Sequence, residues 1–295
     1  MAFVRYEKTV NSYFIAGDNM RRLIPMAICY DFDGTLVPGN MQEYGFIKKL
    51  NMTPSEFWNT ANGLAKKQKG DEILTYMKVT IDESRKRNLP ITREDFRSYG
   101  KDITFFDGVE TYFQRINKYA KSKGVKLEHF IISSGLKEML EGTSIAHEFT
   151  EIFASTFLYD ETGAAVWPAM VLNYTSKTQY LYRINKGCLD VTDTEGVNRH
   201  VSKECKPMPL TNILYIGDGN TDIPCMAMLN KAGGHTLAVY KEGQKERAMS
   251  LNRDGRAHMV ALADYREGKK IDQYVKAVID KIAADGNLQH IISKK

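Results

Sequence analysis

The sequence predicts an α/β protein, and three observations lead there. Short apolar runs that read as buried strands alternate with amphipathic helical stretches. Three of these runs end in residues bearing carboxylates or hydroxyls. A helical segment, residues 40–103, interrupts the alternation after the first strand. Strands buried on both faces of a parallel sheet read as continuous apolar runs, whereas the helices that cover it repeat every 3.6 residues.

The first run, Ile24 to Tyr30, is a strand leading straight into Asp31-Phe32-Asp33-Gly34-Thr35-Leu36. Helix signals then accumulate. Thr53-Pro54-Ser55-Glu56 is a capping box with Pro at the first helical position, and Thr92 to Asp95 is a weaker version with Asp in place of Glu. Between them Ile73, Leu74, Met77 and Ile81 recur at helical spacing, so a small domain of several helices is expected. Alternation resumes where Asp107-Gly108 opens a helix that runs through Tyr112, Phe113, Ile116 and Tyr119 and stops near Gly124. A strand over 126–133 follows, then a short helix from Leu136. Thr162-Gly163 between β-rich flanks predicts a hairpin within 152–174. A helix over 176–187, strands at 213–216, 237–240 and 258–261, and a closing helix over 271–282 complete the chain. The expected architecture is a Rossmann-like parallel sheet core, residues 24–39 and 104–295, with helices on both faces and an inserted α-helical domain at 40–103. Residues 1–23 form an N-terminal extension.

Composition excludes several classes. With 43% hydrophobic and 26% charged residues in 295, the chain has the balance of an ordinary globular protein. No apolar run approaches the ~18–20 residues of a membrane span. Arg5, Glu7, Lys8, Asp18, Arg21 and Arg22 break up any signal-peptide core, so a cytoplasmic protein with no membrane partner is expected. The net charge of +5 is spread along the chain rather than gathered in a stripe. That argues against nucleic acid as a partner and suits a small anionic substrate. Cys29, Cys188, Cys205 and Cys225 form no C-x-x-C pair, which argues against zinc and against a disulfide framework; they read as reduced core thiols. The six histidines show no metal or triad spacing.

The chemistry gathers at strand ends, where doubly wound sheets bind ligands. Asp31-x-Asp33-Gly34-Thr35 is the strongest signal, since four specified residues at average usage recur by chance roughly once in 10⁵ positions. Two carboxylates this close repel unless a positive charge lies between them, and a hard cation such as Mg²⁺ suits oxygen ligands. Gly217-Asp218-Gly219-Asn220-Thr221-Asp222 supplies more carboxylates after 213–216, and Pro224 suits the first turn of a helix. Ser133-Ser134-Gly135 offers hydroxyls and small-residue amides that can hold phosphate oxygens. Ser176-Lys177-Thr178-Gln179 reads as a capping box with Lys177 at the first helical position. A cation there opposes the helix dipole by a few tenths up to about 1 kcal/mol, a cost that a bound anion reverses. Lys186, Lys203 and Lys206 compete for the role, although Lys186 sits in the last turn, where a cation is favourable anyway.

In this order the four motifs resemble the haloacid dehalogenase superfamily, and most closely its phosphoserine-phosphatase-like branch. The resemblance spans about residues 24–265 and implies that 40–103 is a cap domain closing over the substrate. It further implies a Mg²⁺-dependent phosphatase acting on a small phosphorylated metabolite through an aspartyl-phosphate. Asp31 would be the nucleophile and Asp33 the general acid and base. Asp31, Asp33 (through its backbone carbonyl) and Asp218 would hold Mg²⁺. Ser133, Ser134, Gly135 and Lys177 would bind the phosphoryl oxygens, with Asp222, Asn220 and Thr35 in support. Dehalogenases of the superfamily lack the second aspartate, and its ion-pumping ATPases have Lys-Thr-Gly after the nucleophile, so Asp33-Gly34 argues against both. A phosphotransferase or phosphomutase would use the same motifs, and an inactive phosphate-binding module would have no need of Asp33. The branch carries a glutamate shortly after the first motif that contacts the ammonium of phosphoserine. Here Asn40 falls about at that place and Glu43 follows three residues later, which weakens phosphoserine as the substrate. Tyr44, Phe57 and Trp58 offer aromatic surface for a substrate, and Asn40, Gln42 and Asn62 offer neutral hydrogen-bonding groups.

Overall fold

The computed structural model describes residues 23–293, so nearly all of the expected N-terminal extension lies outside the described residues. The chain runs β1 (Ile24–Tyr30), α1 (Phe46–Lys49), α2 (Pro54–Gln68), α3 (Glu72–Lys86), α4 (Arg93–Gly100), α5 (Val109–Ser122), β2 (Val125–Leu136) and α6 (Lys137–Glu141). It continues with β3 (Glu151–Tyr159), β4 (Ala165–Met170), α7 (Thr175–Lys186), α8 (Thr194–Asn198), β5 (Ile213–Gly217) and α9 (Ile223–Lys231). β6 (His235–Tyr240), α10 (Lys245–Arg253), β7 (Met259–Leu262) and α11 (Lys270–Ser293) complete it.

The fold is α/β. Seven strands form one sheet in the order β4-β3-β2-β1-β5-β6-β7. All neighbours are parallel except β3 and β4, whose hairpin leaves an antiparallel strand at one edge. Asp160 makes that hairpin by accepting from the Thr162 N–H at 2.9 Å and the Ala164 N–H at 3.1 Å, with Gly163 at φ 81°. Period-two alternation splits the core between the two faces. Met26, Ile28 and Tyr30 of β1 join the larger apolar cluster, and Ala27 and Cys29 join the other. Cys29 and Cys225 are core thiols as expected, whereas Cys188 is half-buried and Cys205 exposed.

Both predicted capping boxes form, at Thr53 with Glu56 and at Thr92 with Asp95. The one expected at Ser176 does not. α7 begins two residues earlier than that box implies, at Thr175 behind Tyr174 at φ 39°, and the Ser176 hydroxyl turns back to Asn173, accepting from its N–H and donating to its carbonyl, both at 2.7 Å. Lys177 is therefore the third residue of the helix rather than the first. β2 also runs past Ser133 to Leu136, with a register shift that frees the intervening residues from the ladder. Among the described residues no helix is long and apolar enough to cross a membrane.

The chain fills β1, β2 and β3 on one side of the sheet and then starts β5 on the other side of β1. A crevice opens at such a switch point because the loops after the two adjacent strands diverge. Asp31 and Asp218 stand there, and the Asp31 N–H bonds the Ile216 carbonyl at 2.9 Å. Helices α1 to α4 leave the sheet after β1 and return at Phe106, whose N–H bonds the Leu36 carbonyl at 2.9 Å.

Candidate active site

The loop after β1 turns back on itself within a few residues, through the Gly34 N–H to the Val37 carbonyl at 2.9 Å and the Leu36 N–H to the Phe32 carbonyl at 2.8 Å. Gly34 has φ +75°, and a Cβ there would lie 2.4 Å from Asp218 Oδ2. Only glycine accepts both the left-handed backbone and the close approach that sets the two loops side by side.

Lys177 is wholly buried and reaches across from α7. Its Nζ donates to Asp31 Oδ1 at 3.0 Å, to Asp222 Oδ1 at 2.8 Å and to Thr221 Oγ1 at 3.3 Å. Asp222 is fixed in turn by the Tyr215 hydroxyl at 2.7 Å and the Gly219 N–H at 3.1 Å. Asp33 Oδ1 accepts from the Met41 N–H at 2.8 Å, which ties this carboxyl to the start of the inserted helices. One carboxylate oxygen from each of Asp31, Asp218 and Asp222 lies within 4.8 Å of the others.

The electrostatics follow from burying more carboxylates than ammonium groups. Burial, with Asp222 adding repulsion and Lys177 pulling back, raises Asp31 to about 6. Burial and then the charges of Asp31 and Asp222 push Asp218 up to about 8. Burial and the Asp31 charge hold Asp33 well above the usual carboxylate range, against the Met41 N–H. For Lys177, burial opposes the charged form, but Asp222 and Asp31 outweigh it and raise the ammonium.

These residues sit in and under a cavity of about 510 Å³ whose wall includes Asp31, Asp33, Ser133, Ser134, Asp218 and Asn220. Its opposite wall comes from the inserted helices, through Asn40, Gln42, Trp58, Asn62, Glu72 and Tyr76. Ser134 Oγ is buried with no partner, while the Ser134 carbonyl accepts from the Tyr76 hydroxyl at 3.1 Å. Gly135 and Thr35 do not face the cavity. The Gly135 N–H is taken by Ser133 Oγ at 3.0 Å, and Thr35 lies beneath the loop, its carbonyl accepting from the Tyr265 hydroxyl at 2.9 Å. The competing lysines lie elsewhere: Lys186 donates to the Val197 carbonyl at 2.6 Å and the Arg199 carbonyl at 2.9 Å, and Lys206 lines no part of the cavity.

Of the substrate-facing candidates, Asn40, Gln42, Trp58 and Asn62 reach the cavity. Phe57 is core, packed edge-on against Phe46, and Tyr44 packs partly buried on the same cluster. Glu43 does not line the cavity, and its Oε1 accepts from both Asn40 Nδ2 at 2.9 Å and Trp58 Nε1 at 3.0 Å. The motifs gave no sign of Glu72, Tyr76, Lys241, Gln244 or Arg247, all of which line the cavity. Tyr215, which buttresses Asp222, reads in sequence as one more apolar strand residue.

A parallel sheet with clustered aspartates at its switch point defines a class, and the sequence places the chain in it. The profile of the haloacid dehalogenase-like hydrolase family matches residues 28–227, and the chain belongs to that family. An uncharacterized protein of Borreliella burgdorferi is 28% identical over 281 residues, covering 85% of this chain and 95% of its own length. Among solved structures, a haloacid dehalogenase family hydrolase from Salmonella enterica serovar Typhi aligns with a TM-score of 0.56 at 17% identity, over 88% of this chain and 72% of its own. A substrate-bound phosphoserine phosphatase aligns with a TM-score of 0.52 at 15% identity, over 86% of this chain and 98% of its own. At these identities the structural likeness is one of fold.

Proposed function

We propose that the protein is a Mg²⁺-dependent phosphomonoester hydrolase acting on a small phosphorylated metabolite. The observation that carries this reading is the pairing of Asp31, held against the buried Lys177 at 3.0 Å, with Asp33, whose carboxyl favours its proton and hydrogen-bonds the inserted helices. Two carboxyl groups whose environments push their proton affinities apart can take the two roles of nucleophile and acid.

Asp31, ionised at neutral pH, attacks phosphorus. The new O–P bond forms as the bond to the leaving oxygen breaks, giving an aspartyl-phosphate. Asp33 donates its proton to the departing alcohol, then as a carboxylate takes a proton from water, which attacks phosphorus and releases phosphate and Asp31. Lys177, the Ser133 hydroxyl and the unpartnered Ser134 hydroxyl would receive the phosphoryl oxygens, and Asp222 would hold Lys177 in place. The oxygen-only donors clustered at Asp31 and Asp218 fit Mg²⁺, with the Asp33 backbone carbonyl completing the protein's share. When bound, the ion would offset charge on the transferring group.

Residues 40–103 would act as a cap, because Gln42, Trp58 and Tyr76 close the cavity opposite the aspartates and leave room for a small molecule. The test is phosphate release from an aryl phosphate. EDTA should abolish it, Mg²⁺ should restore it, and Asp31→Asn should reduce kcat to background while the fold persists. Turnover indifferent to both chelation and this substitution would sink the mechanism, and transfer of the phosphoryl group to acceptor alcohols in preference to water would make the protein a phosphotransferase.

A further inference from the structure

The sheet-side wall of the cavity does not end at the aspartates. Beyond Gly219 it is continued by Lys241, just after β6, and by Gln244 and Arg247 at the start of α10. The Arg247 guanidinium Nη2 lies 3.7 Å from where a Cβ on Gly219 would stand. Both cations are exposed at the rim, and among the described residues neither has a carboxylate within ion-pair distance. The acid next to Arg247 in sequence, Glu246, is taken by Arg253 at 2.6 Å. Lys241 makes one long contact, 3.4 Å to the Pro38 carbonyl.

Arg247 is near enough to Asp218 to pull its carboxyl down against burial, yet no carboxylate pairs directly with either cation among the described residues. Arg247 and Lys245 lie in the first turn of α10, where the helix dipole disfavours cations, and Gln244 offers no side-chain cap to the exposed N–H groups. Across the cavity Glu72 is the only carboxylate among the lining residues of the inserted helices. It sits in the first turn of α3, where its own dipole already suits it. The deeper part of that wall is neutral, and Gln42, 3% exposed, leaves its Oε1 without a partner. An unpaired buried acceptor calls for a donor, and a substrate hydroxyl supplies one.

We propose that Arg247 and Lys241 bind a second anionic group on the substrate, a carboxylate or a second phosphate, while Gln42 accepts from a hydroxyl between the two ends. The inference rests on the phosphatase reading and narrows its substrate class to hydroxylated phosphate esters carrying a further negative charge. The reacting phosphoryl group is served at the cavity floor by Ser133, Ser134 and Lys177, which leaves the rim cations for the far end of the molecule. Cations in a cleft also raise the local concentration of dianionic substrate, an effect that fades with salt.

The experiment compares kcat/KM within matched pairs, using the full chain with Mg²⁺ at low ionic strength. 3-Phosphoglycerate is set beside glycerol 3-phosphate, and fructose 1,6-bisphosphate beside fructose 6-phosphate; the first pair reports a carboxylate and the second a phosphate. The expected result is a preference of about tenfold or more for the extra anion in at least one pair. It should shrink in added KCl and fall below about threefold in the Arg247→Ala/Lys241→Ala double variant. Arg247→Gln, which keeps the stem and much of the hydrogen bonding, should fall between. Equal values within both wild-type pairs would overturn the proposal, as would a preference that survives in the double variant. A double variant that loses the same factor on charged and neutral esters would place the cations on the reacting phosphoryl group, against the proposal. Hydrolysis of no ester at all would overturn the phosphatase reading itself, a different outcome from hydrolysis without preference.

Discussion

Replacing Lys177 by Met removes one charge and keeps most of the aliphatic bulk, so it isolates what the ammonium does. Each of its two carboxylate contacts, at 3.0 and 2.8 Å, is worth on the order of 5 kcal/mol of Coulomb energy at an effective dielectric of ~20. Desolvation offsets much of this, and breaking a buried pair by removing one partner costs about 3–5 kcal/mol. The cost has a pH signature. Lys177 holds Asp31 down to about 6 against burial and the Asp222 charge, so its loss raises the Asp31 carboxyl further. A carboxyl raised above its unfolded value stabilises the fold at low pH, and that contribution disappears as pH rises through the folded value. The variant, in EDTA, should therefore be little weaker than wild type near pH 5 and several kcal/mol weaker at pH 8. Urea unfolding at the two pH values measures this. In turnover, loss of an electrostatic stabiliser should cost 10²–10³ in kcat/KM at pH 7, with part recovered at higher pH as Asp31 ionises. Lys206→Ala should cost little. A stability loss equal at both pH values, or a kcat/KM within about threefold of wild type, would mean that Lys177 merely fills space and that the site is organised by something else.

Three further outcomes are expected. Gly34→Ala forces a left-handed alanine and drives its Cβ to 2.4 Å from Asp218 Oδ2, so the Mg²⁺ concentration for half-maximal activity should rise about tenfold or more with roughly 1–2 kcal/mol of stability lost; an unchanged metal requirement would refute the contact. His129, buried between the Tyr30 hydroxyl at 3.0 Å and Asn117 at 2.9 Å, is pushed down to about 3 by burial, so the folded state refuses a proton that the unfolded chain takes up below about 6.5. His129 by itself therefore removes stability as pH drops below 6.5, by up to about 1.4 kcal/mol per unit, against the opposite trend of the raised aspartates; the stability of His129→Gln relative to wild type should rise between pH 7 and pH 5 in urea unfolding, and a constant difference would count against it. Phosphoserine should show no hundredfold advantage in kcat/KM over phosphate esters lacking an ammonium, because Glu43 is bound by Asn40 and Trp58; if it does, and Glu72→Gln removes the advantage, Glu72 is the ammonium's partner.

Much of this site is legible in the sequence because its carboxylates are contiguous with strands. Asp31, Asp33, Asp218 and Asp222 each follow an apolar run within a few residues, so the strand prediction positions them directly. Lys177 is reached by reasoning whose local step fails. The expected capping box at Ser176 is absent, and the lysine is set apart by its reach across the sheet to Asp31 and Asp222, a contact that no local pattern encodes. Spacing left open whether Glu43 reaches the substrate, and the fold answers through Trp58, fifteen positions away. Lys241 stands in the loop after β6 and Arg247 in the first turn of α10, with no motif around either, and only closure of the sheet brings them beside Gly219. The antiparallel β4 likewise follows from a hairpin that the sequence shows clearly, but its attachment to the sheet edge is a tertiary choice.

One imbalance explains both the chemistry at the floor of the cavity and the neutrality of the wall above it. Asp31, Asp33, Asp218 and Asp222 surround a single buried ammonium, and three of the four are pushed toward their protonated forms as a result. Such a floor is stable only with protons or a cation in place, and an arriving phosphoryl group adds further negative charge that the cation must also offset. A carboxylate on the facing wall would deepen the deficit at the point where charge builds during transfer. The inserted helices instead present Gln42, Asn62, Trp58 and Tyr76 there and keep Glu72 out at the exposed start of α3, while Glu43 is held off the cavity wall by Asn40 and Trp58. Among the lining residues positive charge returns at the rim, with Lys241 and Arg247, where the proposed reading puts the rest of the substrate. Under the proposed mechanism this order of charge from floor to rim suits transfer of an anion onto an aspartate, and it would select among substrates by the sign of what they carry at their other end.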